Sequence, residues 1–138
     1  MVWCQNVSTN IADKAGLLAG FYRVLNPAGC SHRRNIQSGR VATFFFRYRG
    51  PMTASINLLE SADVMRAQYH TAGFRILEWI NYSNKAIEHY ESMLSAPPKL
   101  TSRLIFGDDA PERQRNSQRN LIEGRTIFWM ITAERPKL

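Results

Sequence analysis

The stretch "GFYRVLNPAG", Gly20 to Gly29, constrains this chain more than any other. Apolar positions Leu17, Leu18, Phe21, Val24 and Leu25 repeat at helical spacing, and Pro27 with Gly29 then stops the helix and turns the chain. An amphipathic helix that ends this way, between two strand-like segments, packs one face on a sheet and predicts an α/β fold. Upstream, "VWCQNV" reads as a short strand, and Asn10 has the character of the helix N-cap, with Asp13 near the positive end of the dipole. Downstream, "VATFFFRY" is rich in β-branched and aromatic residues and predicts the next strand.

The same signals continue. Ser61 caps a helix over "ADVMRAQYHTA" that Gly73 closes, and "FRILEWI" follows as a strand with Phe74, Ile76, Glu78 and Ile80 on one face. "NKAIEHYESML" places Ala86, Ile87, Tyr90, Met93 and Leu94 on one helical stripe. Asp108 or Asp109 starts a polar helix with Pro111 in its first turn and Gly124 past its end. "TIFWMIT" is apolar on both faces, as in a covered interior strand. The order strand, helix, strand, helix, strand, helix, helix, strand predicts a largely parallel sheet.

At 138 residues the chain suits one domain, residues 1–138, and no stretch approaches the ~18 apolar residues of a membrane span. The N-terminus lacks the pattern of a secretory signal, and Cys4 and Cys30 form no metal or redox spacing, so free thiols in a cytoplasmic protein are expected. The charge of +7 is concentrated partly in Arg33, Arg34, Arg40, Arg47 and Arg49, which suits an anionic small molecule, phosphate or nucleic acid. A second group, Arg113, Arg115, Arg119 and Arg125, lies among Glu112, Glu123 and amides and reads as a solvated helix face.

Four landmarks recur together in one known family. "VWCQNVSTNIADKAGLLAGFYRVLNPAG", the "AGF" step within "VMRAQYHTAGFRILEWI", the helix "NKAIEHYESML" and the closing "NLIEGRTIFWMITAERP" resemble the C-terminal half of class I S-adenosylmethionine-dependent methyltransferases, of the small-molecule type that includes sarcosine and dimethylglycine enzymes. The resemblance implies a truncated Rossmann-like sheet, mostly parallel with the last strand antiparallel, and helices packed on it. Residues 30–55 depart from it, because "CSHRRNIQSGR" stands where the family's fifth strand follows the turn directly. In that family a Gly-rich loop and an acidic strand end hold the cofactor. The resemblance puts both ahead of residue 1, so the isolated chain is expected to hold no cofactor, and to take S-adenosylmethionine only where a partner completes the site.

Candidate ligand residues follow. Gln5 and Asn6 end the first strand, where ligands of open α/β sheets collect. His32, Arg33 and Arg34 form a cluster after the turn that suits an anion, and Arg66, Tyr69 and His70 lie together before Gly73 as a substrate contact or an ordinary polar helix face. The three histidines are spaced too irregularly for a metal motif, and no catalytic residue is identifiable. Three functions remain open: an accessory module binding a small anionic ligand, half of a split methyltransferase, and a basic nucleic-acid binder whose Phe44, Phe45, Phe46 and Tyr48 stack on bases. With the family's neighbouring strand missing, "VWCQNV" would be a bare edge, and a homodimer through Val2 and Trp3 is expected.

Overall fold

A computed structural model describes residues 1–41, 45, 58–96, 104 and 107–137. Strand β1, Val2–Gln5, leads through a 3-10 turn at Ser8–Asn10 into helix α1, Lys14–Val24, and then strand β2, Cys30–Ser38. Helix α2 is Ala62–Thr71, strand β3 Arg75–Asn81, helix α3 Ser83–Ser95, helix α4 Ala110–Ile122 and strand β4 Thr126–Glu134. The sheet runs β1-β2-β4-β3. β1 pairs with β2 in parallel, and β4 is antiparallel to both β2 and β3, so the first three strands share one direction and the last opposes them.

Several local signals act as expected. Ser61 Oγ accepts from Val64 N, Gly73 takes φ +86° after α2, Pro111 sits in the first turn of α4, and Gly124 takes φ +67° after it. A Cβ on Gly73 would also come within 3.2 Å of the Tyr22 ring, so strain and space both favour glycine there. The turn after α1 is closed differently from the sequence reading. Ala28, not Gly29, takes the left-handed conformation, at φ +64°, and Arg135 donates to the carbonyls of Tyr22 and Leu25 that end the helix.

Three expectations are corrected. The N-cap of α1 is Asp13, whose Oδ1 accepts from Gly16 N at 2.8 Å; Asn10 belongs to the preceding 3-10 turn, so the helix begins three residues later. The strand after the turn is "CSHRRNIQS", not "VATFFFRY"; Val41 lies outside any strand, and most of the remaining stretch is outside the described residues. Polar sequence forms this strand because β2 has a neighbour on each edge, so its backbone is paired whatever its side chains are. Finally, β3 does not keep one alternation. A bulge between Ile76 and Glu78 reverses the faces, so Trp79 joins Phe74 and Ile76 against the core while Glu78 and Ile80 turn to the other side.

Two apolar cores result. α1 and α2 cover one face through Leu18, Leu25, Met65, Tyr69 and Phe74 against Ile131 and Ala133. α3 and α4 cover part of the opposite face, where Ala86, Tyr90 and Leu121 meet Ile36 and Phe128. The predicted packing face of α1 is narrower than its apolar spacing suggests, because Val24 is 58% exposed.

Candidate ligand pocket at the end of β1

The two strands leave a concavity where β1 ends. Asn6 takes φ +57°, a left-handed conformation that asparagine tolerates, and its N–H still donates to Arg34 O at 3.0 Å. The turn directs Gln5 and Asn6 towards a cavity of about 340 Å³ that also meets Arg34 and Ile36 of β2. α3 forms the facing wall through Tyr82, Lys85, His89 and Tyr90. Tyr82, Lys85 and His89 follow at spacings of three and four with Tyr90 next to them, and the start of α3 is pinned to β4: Tyr82 N donates to Phe128 O and Phe128 N to Ser83 Oγ.

Arg34 dominates the chemistry. Its guanidinium carbon lies 5.2 Å from the Tyr82 ring centre and 5.5 Å from that of Phe128, which holds the side chain over two aromatic faces. Its Nε is buried without a hydrogen-bond partner, as is Asn6 Oδ1. The Arg34 guanidinium and the Lys85 ammonium thus give the pocket wall two cationic side chains. Lys85 has an ion pair with Glu88 at 3.4 Å, but both side chains are exposed and the pair is weak.

Of the sequence-selected residues, Gln5, Asn6 and Arg34 come together here. His32 lies on the same sheet face, two residues before Arg34 and next to Trp3. Arg33 points the opposite way and is 1% exposed; its Nε donates to Ser8 Oγ at 2.9 Å. The second trio does not converge. Tyr69 is buried in the core, with burial raising its hydroxyl pKa against the opposing pull of Arg33, whereas His70 is exposed and Arg66 stacks on Trp79, 4.4 Å from its ring centre. α2 covers the sheet face opposite the pocket. The residues that sequence reasoning missed, Tyr82, Lys85 and Phe128, carried one usable signal: Lys85 stands four residues before His89, on the wet flank of an otherwise apolar helix stripe.

The second arginine group is largely neutralised locally. Arg113 pairs with Asp109, and Arg119 and Arg125 both pair with Glu123, whose carboxyl their hydrogen bonds hold below its usual range. Among the described residues, no group of three or more His, Cys, Asp or Glu side chains is placed to hold a metal ion.

No protein-family description matches the sequence, and no curated protein matches it by sequence. The fold, however, is that of part of an S-adenosylmethionine-dependent methyltransferase. A protein from Galdieria sulphuraria provisionally assigned as a sarcosine dimethylglycine methyltransferase superposes at TM-score 0.72 and 13% identity, over 97% of this chain and 52% of that one. Phosphoethanolamine N-methyltransferase 2 of Haemonchus contortus, in complex with phosphomonomethylethanolamine and S-adenosylhomocysteine, gives TM-score 0.70 at 15% identity over 99% of this chain and 33% of its own. The geranyl diphosphate C-methyltransferase of Streptomyces coelicolor A3(2), in complex with Mg2+, geranyl diphosphate and S-adenosyl-L-homocysteine, gives 0.72 at 10% identity over 96% and 45%. The chain thus spans between about a third and a half of the length of these structures.

The residues present do not by themselves suit S-adenosylmethionine. The β1–α1 connection "NVSTNIAD" contains no glycine, the described residues of the pocket wall include no carboxylate, and Arg34 and Lys85 would oppose a sulfonium cation.

Proposed function

We propose that residues 1–138 form a methyltransferase-derived module that holds a small anionic molecule in the pocket between β1 and α3 and does not transfer methyl groups alone. The observation that carries this reading is that the Arg34 side chain lines that pocket beside Lys85 and has no carboxylate partner among the described residues. An oxyanion would pair with that guanidinium by a charge-assisted hydrogen bond, and the complexes of two fold neighbours contain a phosphorylated molecule. Nucleic acid is disfavoured, because Arg33 lies inside while Arg34 faces the pocket, so these two arginines present no single stripe; Arg47 and Arg49 lie outside the described residues. The free thiols of Cys4 and Cys30 suit a reducing cytoplasm, and no helix among the described residues is long and apolar enough to cross a membrane.

Calorimetry with inorganic phosphate tests the pocket. Arg34→Ala is expected to weaken binding by roughly 10- to 100-fold, the worth of a hydrogen bond to a charged group, with Arg33→Met unchanged. Equal binding by Arg34→Ala and the wild type would overturn the assignment.

The same reading includes self-association. Among the described residues β1 is at the sheet edge with its outer side unpaired, and its Trp3 is 59% exposed. A second copy pairing there, or covering the adjacent sheet face, would need an interface of about 2,000 Å² to be stable. Sedimentation at micromolar concentration is expected to show a dimer that Val2→Lys with Trp3→Lys dissociates. A wild-type monomer would instead favour the split-methyltransferase alternative, in which a different chain supplies the cofactor half.

A further inference from the structure

A row of side chains crosses all four strands on the sheet face that carries the pocket. Trp3 of β1 pairs in register with His32 of β2, His32 with Thr132 of β4, and Thr132 with Glu78 of β3. The β3 bulge is what brings Glu78 to this face. Thr132 Oγ1 donates to Glu78 Oε2 at 3.1 Å, and the same oxygen lies 3.1 Å from His32 Nδ1.

The arrangement determines where the imidazole proton sits. An ionised carboxylate only accepts, and a hydroxyl has a single proton to give. Thr132 commits that proton to Glu78, so the hydroxyl presents a lone pair to His32. Nδ1 must then be the N–H donor, and in the neutral ring Nε2 is left as an acceptor. His32 is half-buried, with the exposed Trp3 ring 5.9 Å away, and it precedes Arg34 by one pleat of the same strand, ~6.6 Å along the chain.

We infer that the Glu78–Thr132–His32 chain holds His32 in the Nδ1–H tautomer, and that its Nε2 accepts a hydrogen bond from the ligand of the neighbouring pocket. The ligand class is an oxyanion bearing a hydroxyl or protonated amine some 6–7 Å from the anionic group, the spacing of alternate residues on one strand face. The ligand part rests on the anion-pocket reading; the tautomer does not. A wholly anionic or apolar ligand would forgo that hydrogen bond, so an acceptor beside the pocket discriminates between ligands with and without a donor.

Two measurements on the full chain test this. Long-range proton–nitrogen correlation spectra, recorded where His32 is neutral, are expected to show the Nδ1–H tautomer. Glu78→Ala is an exposed substitution that frees the Thr132 proton to turn towards Nδ1, so the signal should move to the Nε2–H form. A wild type already in the Nε2–H form, or a spectrum unmoved by Glu78→Ala, overturns the chain. For the ligand, glycerol 3-phosphate is expected to bind roughly fivefold more tightly than inorganic phosphate, the worth of one neutral hydrogen bond. His32→Phe should remove that advantage while phosphate binding stays as in the wild type. Equal affinity of the two probes for the wild type overturns the ligand class. Phosphate binding insensitive to Arg34→Ala condemns the pocket itself, a separate result.

Discussion

Replacing Arg33 with methionine is expected to stabilise the fold, by roughly 1–3 kcal/mol. Arg33 is 1% exposed, and among the described residues its two terminal nitrogens have no hydrogen-bond partner and no carboxylate is paired with it. A guanidinium in that position has lost its hydration and, among the described residues, has in its place the Nε bond to Ser8 and an interaction with the Tyr69 hydroxyl. Methionine keeps the length of the side chain and removes the charge. Part of the gain is offset because Ser8 Oγ, also buried, loses its donor. A second readout is available in Lys14, whose pKa is lowered by burial, with Glu60 raising it and Arg33 lowering it further. Without Arg33 that pKa should move back towards 10.5. Urea unfolding should show a higher midpoint at unchanged slope. Arg33→Ala is the contrasting case, since the space left behind costs what the lost charge returns. A less stable Arg33→Met protein would mean that the guanidinium is satisfied by a bound group, and would reject this account.

The largest loss is expected from Leu18→Ala, about 3–5 kcal/mol. Leu18 is fully buried where α1 crosses the sheet, packed with Leu25, Met65, Tyr69, Phe74, Ile131 and Ala133 from four other parts of the chain. Removing its terminal carbons leaves a cavity that two helices and a sheet cannot all close together. A domain of this kind has only ~5–15 kcal/mol in total, so a large share would disappear. Val24→Ala, six residues on in the same apolar series, should change stability by no more than ~0.5 kcal/mol because Val24 already faces solvent. Similar losses for the two variants would show that α1 packs by a different face.

Local chemistry made the order of elements legible. Ser61, Gly73, Pro111 and Gly124 act on the backbone within a few residues of themselves, so their meaning survives without knowledge of the fold. The resemblance of four short landmarks also carried the fold, against neighbours that share only 10–15% identity. Part of the pocket wall was legible for the same reason: Gln5 and Asn6 end a strand, and strand ends of open sheets collect ligands. Arg66, Tyr69 and His70 are neighbours in sequence, yet burial divides them between core and surface.

By itself, then, the sequence determined the succession of strands and helices, their caps and turns, and an α/β fold with β1 leading into a covering helix. Tertiary structure decided which polar segment would be a strand and which way its side chains would face. "CSHRRNIQS" has no apolar alternation to predict β2; it is a strand because β1 and β4 pair with both its edges. That pairing sends Arg33 into one layer and His32 and Arg34 into the other, and the bulge in β3 swings Glu78 round to join them. Periodicity reports only on neighbours along the chain, whereas these positions are set by hydrogen bonds between strands about a hundred residues apart.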